Sequence, residues 1–188
     1  MNGEVKQLLT LCLYALPVWA VLRGAWLLIR KPRLRPAREV VMALFAAFMA
    51  ALLCMALDGK WQAPEAMLQH AQERLSTMDR IHLRPFETIG RQLRALPGKT
   101  SATQLLGNTL LFAPWGFCLP LLWPRFRRPW RMIGMALLLT CCIEFTQLFI
   151  DRFVEVDDVL LNFLGAMGGA GLWWLIQRCW PGMDRYLL

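Results

Sequence analysis

Apolar residues gather along this chain in five blocks: Leu8–Ile29, Val40–Leu57, Leu105–Trp123, Met132–Ile150 and Val159–Ile176. Each approaches the roughly 17–25 residues that carry a helix across a bilayer. Arg23 interrupts the first block, and Pro114 and Gly116 interrupt the third. The pattern predicts an all-α fold, a polytopic membrane helix bundle of about five transmembrane helices. Residues 1–188 are expected to form a single membrane domain.

The longest connection, Asp58–Thr103, has a pattern of its own. Pro64 sits where a first helical turn starts. Met67, Leu68, Ala71, Leu75 and Met78 then recur at helical spacing, with Gln69, Glu73 and Arg74 between them. Such a helix either lies on the membrane surface or caps the bundle. Pro85 biases Arg84 away from helix within His82-Leu83-Arg84-Pro85-Phe86, which reads as a turn or extended piece. A second short helix follows over Glu87–Leu96, ended by Pro97-Gly98.

Composition agrees with a membrane protein: 57% of the 188 residues are hydrophobic, and the mean hydropathy is +0.40. Soluble domains run at about 45–50% apolar. The first block is expected to be retained rather than cleaved as a signal peptide. Met1–Lys6 has no cationic cluster, and no small-residue cleavage site follows the block. The net charge of +8 does not indicate nucleic acid, because of where the cations lie. Arg30, Lys31, Arg33, Arg35 and Arg38 fill the first connection, and Arg125, Arg127, Arg128 and Arg131 fill the third. Both connections are therefore expected in the cytoplasm. That topology puts the N-terminus outside and the tail with Arg178 and Arg185 inside, in a bacterial inner membrane.

The six cysteines (Cys12, Cys54, Cys118, Cys141, Cys142, Cys179) form no CxxC pair and read as small apolar filler. Trp61, Trp123, Trp130 and Trp180 fall near span ends, the interfacial belt position. Trp115 reads as packing.

The candidate chemistry lies at the seam of the last two blocks: Glu144, Gln147, Asp151, Arg152, Glu155, Asp157, Asp158 and Asn162. Carboxylates near lipid are costly, so they pair, face a polar cavity or do chemistry. Glu144, Gln147 and Asp151 share one face of the fourth span, and Asp158, Asn162, Gly165 and Gly169 share one face of the fifth. The glycines allow close helix approach, so the two spans are expected to form a tight hairpin. Asn108, on a face with Phe112, Trp115 and Leu119, joins at similar depth. Glu144, Asp158, Asn162 and Asn108 are the residues expected to line a site, with Gln147 and Arg152 beside them. Asp151, Glu155 and Asp157 read as turn, cap or pairing residues.

Four pieces of this region resemble the VanZ-like family of bacterial membrane proteins, in that family's order and spacing. They are His82 to Phe86, Asn108 to Phe117 with Pro114 and Gly116, Glu144 to Gln147, and Arg152 to Gly165. The resemblance covers residues 82–169. His82 stands where the family often has Asn, and Glu155 where it often has Asp; both swaps keep polarity. The resemblance implies a helical fold and a motif set in which His82, Arg84, Pro85 and Phe86 belong to the site region. It also implies a link to resistance to teicoplanin-type glycopeptide antibiotics.

Three functions are compatible with these residues. The first is an envelope enzyme acting, in the manner of a hydrolase, on a lipid-linked glycan or other envelope lipid. Glu144, the more apolar site, suits a proton donor, and Asp158, nearer water, a base, nucleophile or charge stabiliser. Asn108, Gln147, Arg152, Asn162, Arg84 and His82 would bind substrate, the arginines taking a phosphate or carboxylate. Mg²⁺ or Ca²⁺ at Glu144 and Asp158 is an option, and no zinc site is apparent. The second is non-catalytic binding of an envelope lipid or glycopeptide antibiotic. The third is a purely structural polar network. A transporter fits less well, because no repeated halves are evident. The expected partners are membrane lipids or a lipid-linked cell-wall precursor.

Overall fold

Proline is the first described residue of four α-helices of this chain and of its 3₁₀ turn, a position where its missing N–H costs little. The structure, a computed structural model, describes residues 17–29, 35–57, 62–78, 80–95, 99–150 and 152–182. Outside them lie the first half of the first apolar block with Cys12, the cations Arg30, Lys31, Arg33 and Arg185, Trp61, Pro97-Gly98 and Asp151. In chain order the elements are α1 (Pro17–Ile29), α2 (Pro36–Ala56), α3 (Pro64–Thr77), β1 (Ile81–His82), α4 (Glu87–Arg94), α5 (Lys99–Leu122), a 3₁₀ turn (Pro124–Arg127), α6 (Pro129–Gln147), β2 (Val154–Glu155) and α7 (Val156–Cys179). The fold is all-α, with a two-residue parallel bridge, β1–β2, that periodicity did not predict.

Among the described residues, three helices are long and apolar enough to cross a membrane: α2, Leu105–Leu122 within α5, and α7. The fourth block is helical as α6, 19 residues long, and carries Arg131, Glu144 and Gln147. The first is described only over Pro17–Ile29.

The chain divides into two compact units, Met1–Ala56 with Leu175–Leu188, and Leu57–Trp174. In the first, the Arg23 that interrupts its apolar block is neutralised. Its Nε and Nη2 donate to both carboxylate oxygens of Glu39 at 2.9 and 2.7 Å. This bidentate geometry offsets the cost of a guanidinium among apolar neighbours.

The second unit holds the polar seam. Its core is built from Phe112, Trp115 and Leu119 of α5, Met132, Ala136 and Ile143 of α6, and Ala166, Ala170 and Trp173 of α7. Trp115 is thus a packing residue. The glycine face of α7 packs against α5, not against α6 as the hairpin expectation had it. A Cβ at Gly165 would overlap the carbonyl oxygen of Thr109, one at Gly169 that of Ala113, and one at Gly116 of α5 that of Ala166. Three glycines in register let the two backbones touch, which is how apolar helices associate without a hydrophobic driving force. At the far end, Arg127 braces the α5–α6 turn. Its Nε donates to the Pro120 carbonyl at 3.3 Å, and its guanidinium lies 5.1 Å from the Trp173 ring centre. The Arg127 carbonyl in turn accepts the Trp174 indole N–H at 3.2 Å.

A candidate head-group cavity

The connection from α3 to α4 is bent at positions where side chains resist bending. Met78, Arg80 and Phe86 have φ of 54°, 55° and 64°. These are the described non-glycine residues with positive φ, and such backbone persists only where surrounding contacts fix it. Two contacts do so here. The Val154 N–H donates to the Arg80 carbonyl at 3.0 Å and opens the β1–β2 bridge, which pairs Ile81 with Val154 and His82 with Glu155. The His82 ring then stacks on Phe153, centres 6.0 Å apart and planes 21° from parallel.

The other contact comes from Asp157, in the first turn of α7 and only 2% exposed. Its Oδ1 accepts the Phe86 N–H at 2.6 Å and its Oδ2 the Ile89 N–H at 2.9 Å. The carboxylate serves as the N-terminal cap of α4, whose own N-cap residue, Phe86, supplies no side-chain bond. Helix starts leave N–H groups without partners, and a carboxylate there also meets the positive end of the helix dipole.

Arg74 performs the reverse task at the end of α6. It stands among the polar positions of α3 in the sequence, yet it is 5% exposed, whereas Leu68, Leu75 and Met78 of the expected apolar stripe are at least half exposed. Its guanidinium donates to the carbonyls of Gln147 at 3.3 Å and Leu148 at 2.9 Å, and to that of Arg152. A cation at a helix C-terminus satisfies carbonyls that the helix cannot.

These caps and the bridge enclose a cavity of about 810 Å³, within the range of small-ligand sites. Its walls are Thr88, Arg91, Gln92 and Ala95 from α4, Asn108 from α5, Gln147 at the end of α6, and His82, Arg152, Phe153, Glu155 and Asp158 from the bridge and the start of α7. Asn108 Nδ2 donates to Asp158 Oδ1 at 2.6 Å, fixing the plane of that carboxylate.

The family model described as VanZ/LLP1 matches residues 41–177, from within α2 to near the end of α7. The chain belongs to the VanZ/LLP1 family. The match starts well before residue 82, in a helix that the four motif pieces did not reach. No curated protein and no solved structure matches the chain.

Of the residues expected at the site of this family member, Asn108, Gln147, Arg152, His82 and Asp158 lie on the cavity wall. Glu144 and Asn162 do not. Glu144 is 5% exposed and sits behind the wall, where its Oε2 accepts the Glu155 N–H at 3.0 Å. Its Oε1 is buried and has no hydrogen-bond partner among the described residues. The charges of Asp158, Glu155 and Arg152 act on it. Asn162, one helical turn beyond Asp158, is 6% exposed. Arg84 is exposed in the turn before Pro85 and Phe86, and it does not line the cavity.

Glu155 and Arg91 line the cavity although the sequence suggested neither. Glu155 read as a turn residue, but its strand pairing with His82 turns it to the wall. Arg91 lies one turn after Glu87, to which it is ion-paired at 3.5 Å on the surface. The amphipathic spacing of Glu87–Leu96 was the available signal for α4, but nothing local showed which helix it would face.

Proposed function

We propose that this VanZ/LLP1 protein is an envelope membrane protein whose cavity receives the polar head group of a phospholipid or a lipid-linked glycan. The observation that carries this reading is the mixed charge of the cavity wall, with Arg91 and Arg152 alongside Glu155 and Asp158. Guanidinium groups suit phosphate, and oriented carboxylates suit hydroxyl or amine groups.

The placement of charge supports an outward opening. Asn108 precedes the end of α5 at Leu122 by fourteen residues, so the cavity and the Arg125–Arg131 turn stand about 20 Å apart along the helix. If that basic turn is cytoplasmic, as short cationic loops are, the cavity opens at the outer face of a bacterial inner membrane. A protein that holds head groups there changes what reaches the envelope from outside. This fits the link to glycopeptide antibiotics that the family carries.

A hydrolase-like reaction is the second reading, favoured by the Asn108–Asp158 bond, which presents Asp158 as a base or nucleophile needs to be presented. Asp158 is then the catalytic carboxylate. Glu144, behind the wall, positions Glu155. A bound Mg²⁺ or Ca²⁺ belongs to the same reading, with Asp158 as its oxygen ligand.

Lipid mass spectrometry of the purified full-length protein tests the binding reading. Wild type is expected to copurify with one enriched head-group class that Asp158→Asn and Arg152→Gln lose. Identical lipid profiles for wild type and both variants would sink it. Incubation of the same lipid with wild type, and recovery of a cleaved head group absent with Asp158→Asn, would raise the second reading above binding alone.

A further inference from the structure

We infer that the cavity selects a zwitterionic head group, an ammonium joined to a phosphate, with Asp158 and Glu155 taking the ammonium and Arg91 and Arg152 the phosphate. The inference rests on the head-group reading above and names the class that reading leaves open.

Asp158 and Glu155 both line the cavity, and the buried Glu144 accepts a hydrogen bond from the Glu155 backbone. Asp158 and Glu155 therefore lie within reach of each other's charge, and the field of Arg152 also reaches Asp158. Carboxylates gathered at a partly buried wall call for a cation.

The hydrogen-bond polarity agrees. The Asn108 amide spends an N–H on Asp158 Oδ1, so this side of the wall offers acceptors: the carboxylates and the Asn108 carbonyl oxygen. A primary ammonium has three donors and no acceptor, so it matches an acceptor-lined wall. Arg91 and Arg152, which line the same cavity, offer planar donors suited to a phosphate.

Arg91 is on α4 and Asp158 on α7, and both border one cavity of about 810 Å³. A ligand that carries both charges a few bonds apart can meet acidic and basic side chains within the one cavity. A purely anionic head group would leave the carboxylates facing an anion.

The test is native mass spectrometry of the full-length protein with equimolar phosphatidylethanolamine and phosphatidylglycerol. Wild type is expected to retain phosphatidylethanolamine in preference. Asp158→Asn is expected to cut that preference by about tenfold, the loss of one charge-assisted hydrogen bond. Arg152→Gln is expected to weaken both lipids alike. If Asp158→Asn does not fold, Glu155→Gln, at a cavity-lining position, decides by the same measurement. Free phosphoethanolamine, added as competitor, separates a lipid from a soluble source of the same chemistry, and displacement by it supports the class. Equal retention of the two lipids, with both still dependent on Arg152, would overturn the zwitterion while the head-group reading stands. Retention insensitive to all three variants would remove both. Thermal stabilisation by Mg²⁺ alone, lost in Asp158→Asn, would reassign the acidic wall to a metal ion and also overturn the inference.

Discussion

Asp157 and Phe86 are 71 residues apart in sequence and joined by a 2.6 Å hydrogen bond from the Phe86 N–H to Asp157 Oδ1. The bond ties the first turn of α7 to the first turn of α4, and α4 is one wall of the cavity. Because Phe86 sits at φ 64°, the loop there is held by the cap rather than by its own preference. The second bond, from the Ile89 N–H at 2.9 Å, fixes the direction of α4 as well as its start.

Asp157→Ala removes both acceptors, so α4 loses its cap while the α5–α7 packing is untouched. Stability is expected to fall by about 2 kcal/mol, the upper range for a cap with a charged acceptor. Amide hydrogen exchange over Phe86–Arg94 is expected to accelerate, with little change in α5. Asp157→Asn keeps one acceptor oxygen and is expected to lose less. Unchanged exchange over α4 in Asp157→Ala would show that the cap does not hold it.

Arg74 is the matching test at the other end of the seam. Arg74→Met strips the carbonyls of Gln147, Leu148 and Arg152 of a shared donor and is expected to cost about 3 kcal/mol, as buried acceptors are left without a partner. Arg74→Lys is expected to recover only part of this, because a single ammonium nitrogen cannot occupy both places from which the guanidinium Nη1 and Nη2 reach the carbonyls. Thermal unfolding in detergent, followed by tryptophan fluorescence, reads both. Equal stability of Arg74→Lys and wild type would show that charge alone suffices there.

Much of this was legible in the sequence. The apolar blocks, the start of α3 at Pro64, the extended piece before Pro85 and the α4 helix all follow from local patterns that tertiary structure did not override. Asn108 and Asp158 also meet, because their helices are long and their depths are fixed by counting residues. Three features were not legible. Arg74 reads as a polar-face residue of an amphipathic helix, and only a carbonyl cluster 73 residues away makes it buried. Asp157 and Asp158 are neighbours of the same type, yet one caps α4 and the other faces the cavity, since adjacent helical positions point about 100° apart. Glu144 has the apolar surroundings expected of a site residue, but the β1–β2 bridge brings the Glu155 N–H to it and places the wall in front. Long-range pairing of two-residue strands leaves no periodic trace.

The α5–α7 contact yields a prediction with its own control. Gly165→Ala and Gly169→Ala each drive a methyl group into a backbone carbonyl of α5, and each is expected to destabilise by about 1–3 kcal/mol through overpacking. Gly168→Ala and Gly171→Ala meet nothing within 4 Å on the same helix. They are expected to be neutral, or stabilising by less than about 1 kcal/mol, because alanine is the better helix former. Unfolding midpoints of the four single variants decide it. If all four behave alike, the glycines matter for helix propensity and not for the helix contact.

Glu144 separates positioning from chemistry. Its Oε2 accepts the Glu155 N–H at 3.0 Å, a role that an amide oxygen fills equally well. Glu144→Gln is therefore expected to keep the fold, the β1–β2 bridge and most head-group retention. Glu144→Leu leaves the Glu155 N–H without its acceptor and is expected to cost about 1–3 kcal/mol, with faster exchange at Val154 and Glu155. Asp158→Asn, at the cavity wall, is expected to show the opposite split, with near-normal stability and lost head-group preference. Unfolding and lipid retention measured together on the three variants test the assignment. Loss of retention in a stable Glu144→Gln would mean that the site requires the carboxyl group of Glu144 itself, beyond its hydrogen bond to Glu155.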